Sequence, residues 1–347
     1  MIRFEKWSLL ALMRFLLASI VAINHLAEYA DLGFLKFVPY FGPFEAILGF
    51  LLISGYSIGE SYTKNPAGFY KRRAARLYPI YVASAVLVFI ATPEPVTLGF
   101  LGVVVINLLF LNQALTTGSY VGPAWSLALE AWLYTLTPWL AKLSSRKLLG
   151  LVFGSLFCYA VHTCGRTLFH WPYYSGLGYG LNLFTLGFAW IAGFLLARER
   201  KNPVATMRMI GAIYIFHLSL TMAIAFGYRL KNHQLALFVP NDLVGFVFKT
   251  ATLIFVWVNF NSMLKNQDKP SVKSHFMRFL GDVSYPLYVV HISVYVILAR
   301  YGFKNPYLML LIAIAASAAV YQTLDFYSRR RDRKEFPSQP VPKASEA

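Results

Sequence analysis

Apolar segments of membrane-crossing length follow one another along almost the whole chain, at about 9–29, 41–60, 77–92, 97–113, 124–141, 148–164, 179–197, 205–226, 236–261, 279–299 and 306–326. The hydrocarbon core of a bilayer is about 30 Å thick, and a helix needs roughly 20 residues to cross it. Backbone N–H and C=O groups find no water there, so each segment must satisfy its own hydrogen bonds as a helix. Of the 347 residues, 57% are hydrophobic and only 14% are charged, too apolar for an ordinary soluble domain. The expected fold class is all-α, a polytopic membrane bundle over 1–327. The basic stretch 328–347 is expected to be a disordered cytoplasmic tail. The first run is too long, and too poor in small residues at its end, for a cleaved signal peptide.

The net charge of +17 does not indicate nucleic acid, because of where the charge sits. Lys and Arg cluster between apolar runs, as in "KNPAGFYKRRAAR", "RERKNP" and "SRRRDRK". Cytoplasmic loops carry this bias. If 97–113 does not cross alone, 24 Lys/Arg fall on the inner side and 6 on the outer, with Arg14 and Lys249 inside spans. Ten crossings are therefore expected, with both termini cytoplasmic and 93–123 as an outer or re-entrant excursion. Cys158 and Cys164 are six residues apart, which suits neither a disulfide nor a metal site, and no metal site is expected.

Ionisable residues within such segments are costly and must face protein or a water-filled cavity. In the first segment, Arg14 and His25 are eleven residues apart, close to three whole helical turns. They share a face, roughly 16 Å apart along the axis. A neutral His can act as a general base near neutral pH. In "GFLLISGYSIGESY", the small residues around Ser54 and Tyr56 permit close helix approach, and Glu45 lies one turn before Gly49. In "FYKRRAARLYPIY", Lys71, Arg72, Arg73 and Arg76 precede a helix. They read either as a topology-fixing basic loop or as phosphate ligands, since guanidinium forks suit phosphate. In "GPAWSLALEAWLY", Ser126 and Glu130 share a face. Glu130 is either a buried acceptor or an acid/base. Ser284, Tyr288, His291 and Tyr295 form a polar stripe late in the chain. Lys249 also falls within a span. His162, His170, His217, His233 and His275 read as structural or solvated.

In chain order these features resemble the acyltransferase 3 family of bacterial membrane-bound O-acyltransferases. The resemblance rests on Arg14…His25, Ser54-Gly55-Tyr56, Arg73…Arg76…Pro79, Trp125-Ser126-Leu127…Glu130…Tyr134 and Ser284-Tyr285…Tyr288…His291. It implies a multi-pass protein of the bacterial inner membrane. It also implies acyl-CoA as co-substrate with no permanently bound cofactor, and a hydroxyl of a surface or exported glycan or glycolipid as acceptor. Under it, His25, Glu45 and Arg14 are the catalytic candidates. Arg73, Arg76, Arg72 and Lys71 would bind the donor. Trp125, Ser126, Glu130, Tyr288, His291, Ser54 and Tyr56 would line the cavity and the acceptor side. Relatives often carry an acid six residues before the Ser of the "SG" pair, where this chain has Leu48, so Glu45 is the candidate acid for His25. A transporter that uses the intramembrane charges, or a non-catalytic partner of a synthesis complex, are the alternatives from other classes.

Overall fold

The computed structural model describes residues 6–112, 114–116, 119–169, 171, 181–265 and 272–325. The proposed tail lies outside them. The described residues form eleven helices and no strand: α1 (Lys6–Leu26), α2 (Pro43–Lys64), α3 (Phe69–Ala91), α4 (Leu98–Leu108), α5 (Trp125–Lys142), α6 (Ser145–Phe169), α7 (Leu181–Arg198), α8 (Val204–Lys231), α9 (Val244–Lys265), α10 (Val272–Arg300) and α11 (Pro306–Val320). The chain is a polytopic helical bundle.

The number of crossings differs from the expected ten. Among the described residues, eight helices are long and apolar enough to cross a membrane. A ninth appears if the 3-10 segment Gly33–Phe41 and α2 count as one span, bent by 55°. The remaining expected crossing, α5, has 18 residues, but Glu130, Lys142 and its Trp and Tyr side chains make it less apolar. At 11 residues, α4 is about 16 Å long, too short to cross alone.

Local chemistry sets several of these boundaries. Pro43 and Pro306 occupy the first turns of α2 and α11, where a missing N–H costs nothing. Asn305 caps α11 by accepting from the N–H groups of Tyr307 and Leu308, and Thr97 caps α4 by accepting from Phe100. The bend before α2 falls on Gly42, at φ 79°, where a Cβ would also strike the Glu45 carboxylate.

Helices α2 and α7 form the centre of the bundle, with α1 and α10 paired beside them. The most apolar window of α7 is 78% buried within the protein, against 22% for α11, so α7 is enclosed by protein and α11 faces lipid. The α2–α7 contact is made by backbone. A Cβ on Gly55 would lie 1.9 Å from the Trp190 carbonyl oxygen, and one on Gly193 would lie 2.1 Å from that of Leu52. Without a hydrophobic drive inside lipid, such close approach is what holds helices together. Gly55→Val and Gly193→Val should therefore force the helices apart at a cost of about 1–3 kcal/mol or more each. Gly150→Ala and Gly154→Ala, with nothing within 4 Å of an added Cβ, should be neutral. Thermal unfolding of the purified protein followed by size-exclusion profile checks both outcomes.

Candidate active site

Between α1, α2, α3, α5 and α10 lies a central cavity of about 70 Å³. Arg14 enters it from α1, Ser54 and Ser57 from α2, Arg73 and Arg76 from α3, Glu130 and Ser126 from α5, and Tyr288 from α10. Three guanidinium groups and one carboxylate therefore converge in a largely apolar bundle. Arg14, Ser57, Arg73 and Arg76 also line a wider space of about 410 Å³, together with Arg278 and Asp282. The wider space serves as a basic vestibule to the cavity.

The arginines do not all behave alike. Arg73 donates from Nη2 to Ser61 Oγ at 2.8 Å, while its buried Nε has no partner among the described residues. Arg72 is turned away, donating to the carbonyls of Ala67 and Asn65 and so closing the α2–α3 turn. Lys71 is exposed and lines none of these spaces. Of the four basic residues expected to hold the donor, the structure brings Arg73 and Arg76 to the cavity and adds Arg14.

Glu130 is held by a chain of hydrogen bonds. Tyr134 donates to Glu130 Oε2 at 2.5 Å, Ser54 and Tyr134 hydroxyls lie 3.2 Å apart, and Trp190 Nε1 donates to Ser54 Oγ at 3.2 Å. With the indole N–H as a fixed donor, the Ser54 hydroxyl can donate to Tyr134 and Tyr134 in turn to the carboxylate. Tyr134 belongs to the same motif as Glu130, one turn along α5, so the spacing could have singled it out. Ser126 and Tyr288 hydroxyls meet at 2.8 Å on the cavity wall. Trp125 and Tyr56 do not line the cavity, contrary to expectation. Trp125 packs partly buried against the core, and Tyr56 is fully buried edge-on to Phe260.

His25 lies beyond the cavity wall, and its partner is not an acid. Its Nδ1 is 3.0 Å from Nε2 of His291, and the rings stack with centroids 5.2 Å apart. His291 is fully buried, with Nδ1 2.7 Å from the Leu287 carbonyl oxygen. A carbonyl only accepts, so His291 carries its proton on Nδ1 and offers a lone pair at Nε2. His25 then donates from Nδ1 and keeps its own lone pair on Nε2. That is the tautomer of a general base, set by a histidine in the orienting position. His291 is one helical turn from Tyr288, so α10 links the pair to the cavity wall.

Glu45, the expected acid for His25, pairs elsewhere. Its Oε1 is 3.1 Å from His217 Nε2, and His217 Nδ1 is 2.7 Å from the Tyr159 hydroxyl. The Glu45 carboxylate and the stem of Lys249 both crowd Gly42, at 1.9 and 3.0 Å from where a Cβ would stand. His217 was expected to lack polar companions, yet it sits in the middle of α8 with two. They lie 172 and 58 residues away in sequence, so no local spacing announces them. This buried Tyr159–His217–Glu45 chain ties α6, α8 and α2 together. Removing one partner leaves the others buried and unmatched, which typically costs about 3–5 kcal/mol. Glu45→Ala should accordingly lower the thermal midpoint sharply, whereas His25→Ala, which takes one hydrogen bond from a neutral His291, should lower it less, by about 1–3 kcal/mol of stability. Parallel melts of the two variants decide between a stabilising and a chemical role.

Comparison with known proteins agrees with this geometry. The model of the acyltransferase 3 family, described as an acyltransferase domain, matches residues 7–321. A curated protein of Acidianus two-tailed virus, titled "Putative acetyltransferase ORF330", is 26% identical over 261 residues, which cover 70% of this chain and 68% of that protein. No solved structure matches. The family match spans the helices that build both the arginine-lined cavity and the His25–His291 pair, and the chain belongs to the acyltransferase 3 family, as a multi-pass membrane acyltransferase.

Proposed function

We propose that this enzyme moves a short acyl group, acetyl being the simplest, from acyl-CoA on the cytoplasmic side of the membrane to a hydroxyl of a surface or exported polysaccharide or glycolipid. The observation that carries the donor assignment is the convergence of Arg14, Arg73 and Arg76 on one cavity that continues into a basic vestibule. Guanidinium forks match phosphate oxygens, and CoA is rich in phosphate. The charge bias of the loops supports a cytoplasmic side for this vestibule, and in a bacterium the host bilayer would be the inner membrane.

In the proposed reaction, His25 Nε2 takes the proton from the acceptor hydroxyl as its oxygen attacks the thioester carbonyl. The C–O bond forms, the C–S bond breaks, and CoA leaves as the thiol after taking up the proton. His291 holds His25 in the productive tautomer and orientation, the part that a third group plays beside a base. Glu130, fixed by Tyr134, offsets part of the arginine charge in the shared cavity when the site is empty.

The test is acyl transfer by the purified protein in nanodiscs, read as release of the CoA thiol when a glycan acceptor is added. His25→Ala should lose at least a hundredfold in rate while remaining folded at the assay temperature, within the usual range of about 10²–10⁴ for a general base. Arg73→Ala and Arg76→Ala should chiefly raise the KM for acyl-CoA. A His25→Ala enzyme that works at the normal rate overturns the base assignment. Substrate flux into proteoliposomes without any acyl donor would favour a transporter instead.

A further inference from the structure

A third space lies beside the central cavity, on its α3–α5 side. Helices α3 and α5 share no packed seam. The gap between them is a groove of about 370 Å³, lined in part by the segment 109–111. Arg73, Leu77 and Tyr134 line both this groove and the central cavity, so the two adjoin. Its rim lies on the outside of the bundle, with Tyr70 52% and Leu109 56% exposed.

The walls of the groove present carbon. Trp132 donates its Nε1–H to the Phe110 carbonyl at 3.0 Å, and Tyr70 donates to the Thr135 carbonyl at 2.9 Å. The Thr135 hydroxyl bonds back to Ala131, and Tyr134 is engaged with Glu130. Apart from the Arg73 guanidinium, at the side shared with the central cavity, and the Tyr78 hydroxyl, what faces the space is aromatic and aliphatic surface from Ala74, Leu77, Tyr78, Phe110, Ala131 and Trp132. A hydrocarbon chain is stabilised there, and a sugar is not. Phe110 stands out by its backbone, with φ at 56°, a left-handed conformation that bulky residues rarely adopt. The ring is held in place by stacking on Tyr81 at 4.8 Å and by edge contact with Tyr78 at 5.4 Å. Backbone strain of this kind is kept where a side chain must stand at one particular spot.

We infer that the α3–α5 groove is the slot for the acyl chain of the donor, with Ala74 and Phe110 setting the chain length accepted. The inference rests on the proposed use of acyl-CoA. Arg73 lines all three spaces. A donor whose phosphates lie in the basic vestibule and whose thioester reaches the central cavity has its acyl carbons at the entrance to the groove. The central cavity has room for roughly five water-sized groups, enough for an acetyl thioester. Additional methylenes require another space, and the groove is the apolar one that adjoins it.

The test is binding, which needs no acceptor. The affinities of CoA, acetyl-CoA and hexanoyl-CoA are measured on the full chain in nanodiscs, with protein-free nanodiscs subtracted. Hexanoyl-CoA should bind at least tenfold tighter than acetyl-CoA. Ala74→Phe fills the groove and should cut that preference to about twofold or less. Phe110→Gly relaxes the strained φ and enlarges the slot, so the preference should grow, most of all with octanoyl-CoA. Unliganded CoA reports on folding; if Ala74→Phe no longer binds it, Phe110→Gly decides alone. Binding of acetyl-CoA with a chain-length preference absent, or unmoved by both substitutions, overturns the slot and leaves the donor assignment standing. Failure of the wild-type protein to bind any of the three overturns the donor assignment and the slot together.

Discussion

Inside a helical bundle in lipid, an ionisable side chain without a partner is intolerable, and much of this structure follows from that constraint. Arg14, Arg73 and Arg76 share one cavity with a single carboxylate, Glu130, whose own orientation depends on Tyr134, Ser54 and Trp190. The chain runs from α5 through α2 to α7. The close α2–α7 seam is what lets Trp190 reach Ser54, so glycines at 55 and 193 position polar groups as well as helices. One carboxylate against three cations leaves a surplus of positive charge. In a bundle this apolar, such a surplus is tolerated where water or an anion can enter, and the adjoining basic vestibule supplies the opening.

A second polar cluster follows the same constraint to a different end. Tyr159, His217 and Glu45 satisfy one another across α6, α8 and α2. Both His217 and Glu45 are almost completely enclosed, which leaves little access for a substrate. The two clusters contain similar chemical groups, yet they differ in access. One borders a cavity with an outlet, and the other is sealed. Access, more than residue type, separates a candidate reaction site from a polar staple.

The membrane bundle was legible from the length and repetition of apolar runs, because a bilayer imposes a length on every span. Arg14, Arg73, Arg76, Ser54, Ser126, Glu130 and Tyr288 were tied to one site by the family resemblance rather than by periodicity, and they line one cavity. The expected ten crossings exceed the eight or nine helices apolar enough to cross among the described residues, since α5 gives up hydropathy to carry Glu130, Trp and Tyr side chains. Pairings across helices were the least legible. Periodicity shows that Glu45 faces inward but not which neighbour it meets, and its proximity in sequence to the "SG" motif pointed to His25. The partner of His25 came instead from the polar stripe on α10, 266 residues away. Arg72 shows a different limit. The sequence shows a run of four basic residues, but the tight turn ending at Gly68 takes one of them for its own carbonyls.

The separation between the arginine-lined cavity and His25 is itself informative. The two share α1, but neither His25 nor His291 lines the cavity, whose wall includes the Ser126–Tyr288 hydroxyl pair. Tyr288 and His291 are one turn apart on α10, and Pro286 lies within that helix just before them. A proline cannot donate to the carbonyl a turn earlier, so the helix is locally easier to bend at this point than elsewhere. A small rotation of α10 about Pro286 would move the Tyr288 hydroxyl and the His291 ring together, since both ride on the same turn. A path from the cavity to His25 can therefore be opened by an element that also sets the tautomer of the base. Under the proposed function, access of the thioester and readiness of His25 would be controlled by one helix rather than two.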